Sequence, residues 1–330
     1  MKRAILPILA GSLFLLSSWG FLVHRTVNQL AIYRLPEQMR SYFFQEKEYL
    51  VKHSVRPDLR RNDDSTEATR HFIDFEAFGD SAAWKMPMDW ESAVALHSKD
   101  SLVKYGYVPY HIIAMMQKLT SAFQRMEKDS ILFYAADLSH YIADAHVPLH
   151  TTLNYDGQLT GQRGLHALWE SVVPEVELLQ YDLYVKGKAQ YISDPATYVW
   201  DIVRKSHQLL VGVFEEERLA SLQFSDSTKY RRQMRNGRQM KYYTDEFARA
   251  YSRRLGSSIN DQLKNTAAAI SDCWYTCWVN AGKPDLRILS RNADDATLST
   301  QWKEESKAFR KNQLIGKGWL LAKKNMGSSE

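Results

Sequence analysis

Residues 244–281 read TDEFARAYSRRLGSSINDQLKNTAAAISDCWYTCWVNA, and their apolar positions repeat with a helical period. One stripe, spaced by four or seven residues, consists of Phe247, Tyr251, Leu255, Ile259, Leu263, Ile270 and Trp274. Thr244 with two following acids is typical of a helix N-terminus, and Gly282 and Pro284 are typical of a helix end. The stretch therefore predicts one long amphipathic helix, whose stripe must be buried against other helices.

The same helical period recurs along most of the chain. Further helices are predicted over residues 25–35, 36–52, 108–127, 130–146, 165–181 and 195–217. No strand is predicted, because convincing alternation of apolar and polar residues is absent, and the glycines of residues 154–164 indicate a loop. We therefore predict an all-α fold, with a single multi-helix domain over residues 19–285.

Composition limits the kinds of protein that this chain can be. Its 330 residues are 45% hydrophobic and 25% charged, which is close to globular averages and excludes wholesale disorder. Two cysteines cannot staple a fold of this size, and we interpret Cys273 and Cys277 as small buried side chains on one helix. The formal net charge of +5 suits a polyanionic substrate without requiring one.

Both ends of the chain differ from the predicted domain. Residues 1–18 place Lys2 and Arg3 before an apolar run, which is the order of a secretory signal peptide, with cleavage predicted before Trp19. This predicts a secreted or periplasmic protein. The alternative is an uncleaved N-terminal anchor, although the run is short for a bilayer span. Residues 286–330 form a polar, basic C-terminal segment with a short helix predicted around residues 301–312.

Histidines and acids are spaced so that they share helix faces. His140 and Asp144 stand four residues apart within one predicted helix, so their side chains project from the same face. His166 and Glu170 repeat this spacing, and His150 follows the end of the first helix. A histidine nitrogen and a carboxylate oxygen one turn apart can both reach one ion at about 2.0–2.2 Å. Two such pairs predict a metal site.

Four upstream residues could join this metal site. Asp58 and His71 flank a polar loop, and Trp19 and His24 lie at the predicted mature terminus. A free α-amino group at Trp19 could bind a metal in its neutral form, together with the carbonyl oxygen of the same residue. All of these donors are nitrogen or oxygen and none is a thiolate. Such sites with open positions favour catalytic over structural zinc.

Behind the predicted terminal Trp19, the chain carries three motifs in order: D-x12-H (Asp58, His71), H-x3-D-x5-H (His140, Asp144, His150) and H-x3-E (His166, Glu170). In content and order, these motifs resemble those of the zinc-dependent phospholipase C / S1/P1 nuclease superfamily. The matching motifs run over residues 19–170, nearly half of the chain. The resemblance implies a helical fold around three zinc ions. The implied ligands are Asp58, His71, His140 and Asp144 for one zinc, His150, His166 and Glu170 for a second, and the Trp19 amino and carbonyl groups, His24 and Asp144 for the third.

The resemblance also implies how such a site would work. Zinc ions lower the pKa of water and neutralise phosphate oxygens, which favours in-line hydrolysis of a P–O ester bond. Asp58 would orient or deprotonate the attacking water besides binding zinc. Arg61 matches an arginine of the nuclease branch that stabilises the charged transition state, a role that suits a guanidinium fork. Phe72 and Asp74 match positions that hold a nucleic-acid base by stacking and by hydrogen bonding.

Two substrate classes share these metals. A nuclease or 3′-nucleotidase acting on single-stranded nucleic acid is favoured by the short spacing between Trp19 and His24, by Arg61 and by the positive charge. A phospholipase C is favoured by Glu170, where nucleases usually have Asp, and by a short loop after His150 without a Gly-Gly-Asn pattern. A non-catalytic, zinc-stabilised helical protein is a distant third alternative. We predict the nuclease-like hydrolase, with no protein partner implied.

Overall fold

The computed structural model describes residues 20–235, 238–290 and 296–322, and the predicted all-α fold is confirmed. The α-helices of these residues are α1 (Phe21–Ile32), α2 (Glu37–Gln45), α3 (Lys47–His53), α4 (Arg56–Arg60), α5 (Ala82–Lys85), α6 (Trp90–His97), α7 (Lys99–Tyr105), α8 (Val108–Gln124), α9 (Lys128–Ala145), α10 (Leu165–Ala167), α11 (Val173–Glu177), α12 (Pro195–Gln208), α13 (Leu210–Ser221), α14 (Asp226–Lys229), α15 (Asp245–Leu255), α16 (Ser258–Asn280) and α17 (Ala296–Arg310). A π-helical turn, Leu168–Val172, joins α10 to α11. Within the described ranges, no helix is both long and apolar enough to cross a membrane.

One hairpin contradicts the prediction that the chain has no strand. Strands β1 (Tyr230–Arg235) and β2 (Arg238–Tyr243) pair antiparallel, with Tyr230 opposite Tyr243. The tyrosines at this end of the hairpin pack on each other, and Tyr243 stacks on Phe247 of α15. The segment is dominated by Arg, Lys and Gln, so its sequence lacks the apolar alternation by which a half-buried strand is recognised.

The longest predicted helix is two helices in the structure. Helix α15 ends at Leu255 and α16 begins at Ser258, because Gly256 adopts φ +60° and ψ −129° and turns the chain. The predictions over 36–52 and 195–217 likewise each cover two helices, α2 with α3 and α12 with α13. An apolar period persists across a break of one or two residues, so periodicity alone does not reveal the break.

Helix α9 lies at the centre of the fold. It contacts α1, α3, α8 and α16, and its alanine side chains let these helices approach closely. Trp274 of α16 donates a hydrogen bond from Nε1 to the carbonyl of Ala135 at 3.0 Å. His140 and Asp144 on the same helix are therefore interior, with 0% and 1% of their surface exposed. Buried polar groups of this kind require partners.

The C-terminal segment packs on the N-terminal helices. Helix α17 overlaps the predicted short helix and contacts α2. Its Glu305 is fully buried, accepts a hydrogen bond from the Tyr33 hydroxyl and pairs with Lys47 Nζ at 2.6 Å. The division of the chain at residue 285 stays a prediction. The predicted signal peptide, residues 1–18, and Trp19 lie outside the described residues.

Candidate metal centre

Histidine and carboxylate side chains from distant parts of the chain meet beside the C-terminal half of α9. Eight of the nine predicted ligands lie in the described residues. Each of the eight belongs to a group of three whose donor atoms lie within 4.8 Å of one another. The ninth, Trp19, lies outside the described residues. The structure thus brings the predicted side chains together, and their assignment as ligands remains our proposal.

The first group surrounds one carboxylate oxygen of Asp144. Its Oδ2 lies 2.8 Å from His71 Nδ1 and 3.3 Å from His140 Nε2. These two ring nitrogens are 3.1 Å apart. Asp58 on α4 approaches from the solvent side, with Oδ1 3.8 Å from His71 Nδ1 and 3.7 Å from His140 Nε2. These are the four side chains predicted for the first zinc.

The second group forms where α10 widens into the π turn. His166 Nε2 lies 2.6 Å from Glu170 Oε2 and 3.2 Å from His150 Nε2. Pro174 has no N–H to donate to the Glu170 carbonyl, and its ring crowds that carbonyl, which explains why the turn is wider than an α-helical one. The predicted spacing of four residues therefore brings both donors to one point within an irregular helix.

His24 on α1 connects the two groups. Its Nε2 lies 3.6 Å from Asp144 Oδ1 and 3.5 Å from Glu170 Oε1. The sequence prediction placed His24 with Asp144 and Trp19, whereas the structure also places Glu170 beside it. His24 is 2% exposed, yet neither of its ring nitrogens has a hydrogen-bond partner within the described ranges. Unpaired buried nitrogens are rare, and a cation beside Asp144 and Glu170 would satisfy Nε2.

Hydrogen bonds behind the rings determine which nitrogen faces the centre. His140 Nδ1 is 2.9 Å from the Ser54 carbonyl, and His150 Nδ1 is 2.8 Å from the His71 carbonyl. A carbonyl can only accept, so each Nδ1 donates and the Nε2 of each ring faces the centre, where it carries a lone pair whenever the ring is neutral. Lone pairs facing other ring nitrogens at 3.1–3.2 Å repel unless a cation lies between them. The residues present therefore fit metal ions.

Electrostatics favour charged carboxylates at this centre, whereas its imidazoles differ. Burial alone would lower the pKa of His150, but the charge of Asp144 raises it to about 9. Burial alone would raise the pKa of Asp144, but the charge of His150 and a hydrogen bond from His71 reverse this and hold the pKa below its usual range. Glu170 behaves alike, since a hydrogen bond from His150 helps to hold its pKa well below normal despite burial. Burial lowers the pKa of His140 to about 4, so this ring is neutral near pH 7.

Glu67 is a buried partner of His71 that the sequence analysis missed. The Glu67 carboxylate is 0% exposed, and its Oε1 lies 3.5 Å from His71 Nε2. Arg60, Arg70 and the Tyr141 hydroxyl all donate to it. Because Nε2 of His71 is directed at the Glu67 carboxylate, its Nδ1 lone pair faces the centre. Carboxylates commonly orient metal-bound imidazoles in this way. The only sequence signal was its position, four residues before His71.

We expect Glu67→Gln to weaken metal binding by about 10- to 100-fold, because the amide cannot replace the carboxylate that orients His71. Competition with a chelator of known affinity measures the change. Glu305→Gln is the matched control, since Glu305 is equally buried but belongs to the contact between α17 and the N-terminal helices. Equal metal affinity in Glu67→Gln and the wild type would show that Glu67 has no part in the centre.

An open depression of about 600 Å³ gives solvent access to the groups. Its lining includes Asp58, Arg61, Asn62, Asp144, His150, His166, Glu170 and Ser171. Arg61 is half exposed at the rim, with Nη1 3.5 Å from Asp58 Oδ1. A guanidinium at this position can bond two oxygens of one phosphate. Asn62 and Ser171 add polar groups that the sequence analysis did not single out.

Phe72 and Asp74 do not line the depression, and they follow His71 in an irregular stretch between two short 3₁₀ turns. Asp74 N donates to the Tyr105 carbonyl at 2.8 Å, and Val108 N donates to the Phe72 carbonyl at 3.1 Å. Burial, and then the charge of Glu76, raises the pKa of Asp74 to about 7. A carboxyl that is partly neutral near pH 7 can donate as well as accept a hydrogen bond. Their predicted contact with a base stays a proposal.

The loop after His150 presents an aromatic ring that the sequence analysis missed. Tyr155 is 53% exposed, and its ring centroid lies 6.3 Å from that of His166. Asn154 stabilises the loop internally, since its Oδ1 accepts from Leu159 N at 2.8 Å. A tyrosine in a loop rich in glycine was the available signal, although exposed loop tyrosines are common.

Fold and site together define an all-α protein with histidine and carboxylate groups that could hold metal ions. The chain belongs to the S1/P1 nuclease family, because the family model described as S1/P1 Nuclease matches residues 19–324. Members are metal-dependent hydrolases of phosphoester bonds, so the predicted superfamily and enzyme class are confirmed. The family supports a nucleic-acid substrate and indicates no protein partner. No curated protein matches the sequence.

Proposed function

We propose that this protein is a zinc-dependent nuclease that hydrolyses phosphoester bonds of single-stranded nucleic acid or 3′-nucleotides. The observation that carries the proposal is the arrangement of one depression. Arg61 and Asp58 lie at its rim, and the clustered imidazoles and carboxylates lie at its floor. A phosphate that enters the depression meets a cationic fork and a metal-binding surface together.

Three zinc ions are the proposed cofactor. Asp58, His71, His140 and Asp144 would hold the first, and His150, His166 and Glu170 the second. The Trp19 amino and carbonyl groups, His24 and Asp144 would hold the third. The nitrogen and oxygen donors, with open positions toward the depression, suit catalytic zinc. Bound zinc supplies a water of lowered pKa and neutralises charge on the phosphate.

The protein groups at the rim have separate tasks. Asp58 is 28% exposed and faces both the first group and the depression, so it can orient the attacking water and accept its proton. Arg61 can bond two non-bridging phosphate oxygens and stabilise the charge that develops on them. Phe72 and Asp74 would hold the base beside the reacting phosphate, by stacking and by hydrogen bonding.

A single strand suits this site better than a duplex. Asp144 and His150, which line the depression, are almost fully buried, so the phosphorus must come into the depression. A flexible single strand can bend one phosphate inward and offer its unstacked bases to Phe72, while the stiffness of duplex DNA opposes such bending.

Export is proposed from the same chemistry. The third zinc site needs a free amino group at Trp19, which exists only if residues 1–18 are removed. We therefore propose a secreted or periplasmic enzyme whose signal peptide is cleaved before Trp19.

Phospholipase C activity is the second candidate. Glu170 favours it, because this position resembles the phospholipase branch. The loop after His150 also favours it, because Asn154 forms a hydrogen bond within this loop and does not line the depression. The exposed Arg61 at the rim and the family match favour nucleic acid over lipid.

A side-by-side assay tests the choice. The zinc-loaded protein is incubated with single-stranded DNA, the same DNA as a duplex, RNA, a 3′-nucleotide and phosphatidylcholine vesicles. We expect hydrolysis of the single strands and the 3′-nucleotide, slower hydrolysis of the duplex, and no release of phosphocholine. Release of phosphocholine without cleavage of any nucleic acid would reverse the assignment.

A further inference from the structure

A second groove lies beside the metal centre, between the hairpin and the helical segment that carries His166. It has a volume of about 630 Å³, and its walls come from β1, β2 and the π turn. Helix α10 and the π turn present His166 and Glu170 to the metal centre, while Leu168 and Val172 of the π turn line the groove. Ala167 lines both depressions and is exposed, so their surfaces are continuous.

The hairpin wall of this groove is anchored to the fold. The Tyr243 hydroxyl donates to Glu217 at 3.0 Å, and Lys229 pairs with the same buried carboxylate at 2.7 Å. Gly164 has φ +93°, and an added Cβ there would lie 3.3 Å from the Tyr243 ring. The close approach of ring and backbone closes the bottom of the groove, so this wall is already in place before any ligand binds.

The lining of the groove combines apolar surface with positive charge. Arg163, Arg231 and Lys241 line it against one acid, Asp156. Lys241 is partly neutralised by an ion pair with Asp226 at 2.8 Å. Arg163 is exposed and has no carboxylate partner in the part of the chain that the structure describes. An unpaired guanidinium over an apolar floor favours an anion that also carries apolar or aromatic groups.

Tyrosines in the groove supply aromatic rings on which the apolar or aromatic part of such a ligand can stack. Tyr230 and Tyr242 line the groove and are partly exposed. The Tyr242 hydroxyl is buried and finds no hydrogen-bond partner among the described residues. Aromatic rings interleaved with arginine and lysine along a channel are typical of surfaces that follow a single strand, with bases stacked on rings and phosphates on cations.

We propose that this groove binds the continuation of a single-stranded nucleic acid, beyond the nucleotide that is cleaved at the metal centre. Arg163 contacts a backbone phosphate as the strand passes over Ala167, and Tyr242 contacts the following base or sugar. The proposal rests on the proposed nuclease function. It predicts that long strands are cleaved more efficiently than short ones, because only long strands reach both the metal centre and the groove.

Comparison of a dinucleotide with a twelve-nucleotide single strand tests the groove. Arg163→Gln should lower kcat/KM for the long strand by about five- to tenfold and reduce the dependence of log KM on log salt by about 0.7, as expected when one phosphate contact is lost. It should leave kcat/KM for the dinucleotide within about twofold, because a dinucleotide does not reach the groove. Arg253→Gln is the matched control, since Arg253 is exposed on α15 and lines neither depression.

The outcomes distinguish a failure of the groove proposal from a failure of the proposed nuclease function. If the wild type cleaves neither oligonucleotide, the nuclease assignment fails. If the wild type cleaves both and Arg163→Gln changes both equally or neither, the nuclease assignment stands and the groove proposal is wrong. If Arg163→Gln alters hydrolysis of phosphatidylcholine vesicles alone, the groove holds lipid and the proposal is also wrong.

Discussion

Replacing Asp144 by asparagine should abolish turnover and remove metal. One oxygen of Asp144 lies 2.8 Å from His71 Nδ1, and the other lies 3.6 Å from His24 Nε2, so this carboxylate links the first group to His24. Asparagine keeps the shape but loses the charge and one anionic oxygen. If the transition state loses about 4–6 kcal/mol of metal-derived stabilisation, kcat falls by about 10³- to 10⁴-fold.

Metal analysis and kinetics on the same Asp144→Asn preparation measure both effects. We expect at least one zinc fewer per chain together with the loss of activity. Asp272→Asn is the matched control, because Asp272 is a buried carboxylate on α16 that pairs with Arg34 and Tyr198, away from the centre. That variant should lose stability but keep its zinc. Full activity in Asp144→Asn would exclude the bridging role.

Replacing Arg61 by methionine should lower kcat/KM by about 10²- to 10³-fold, which is the usual effect of removing one preorganised donor to a developing charge. Arg61 is about half exposed at the rim and contacts Asp58 at 3.5 Å, so methionine should disturb the fold little. Its loss should leave the zinc content unchanged. Arg61→Lys should restore only part of the rate, because an ammonium cannot bond two phosphate oxygens in parallel.

Arg125→Met provides the control for Arg61→Met. Arg125 is similarly exposed and pairs with Glu127 near the start of α9, away from the depression. Its replacement should leave kcat/KM within about twofold, in the range of ordinary surface substitutions. A similar loss in both variants would indicate a general effect of surface charge. An unchanged kcat/KM in Arg61→Met would remove Arg61 from the reaction.

The sequence predicts well which side chains cluster, because two of the predicted pairs obey local rules. The pair His140 and Asp144 and the pair His166 and Glu170 each share a helix face, and the helix geometry that this assumes is present or nearly so. The meeting of distant segments, such as those carrying His24 and Asp58, has no local signature. We predicted that these segments meet only from the order of motifs in the family that the chain resembles.

Features that depend on tertiary packing could not be predicted from the sequence. Glu67 is indistinguishable from a surface acid until three donors close around it. The strands β1 and β2 are polar, and their stability depends on anchors such as Tyr243 on Glu217 rather than on alternation. Gly256 breaks the long helix through its backbone conformation, which the apolar stripe does not reveal.

Anomalous diffraction at the zinc absorption edge, from crystals of the mature protein, tests the central claim most directly. We expect three peaks. One lies among Asp58, His71, His140 and Asp144, one among His150, His166 and Glu170, and one between His24, Asp144 and the Trp19 amino terminus. Crystals grown with zinc that show no anomalous density at these groups, while their side chains are ordered, would contradict the account.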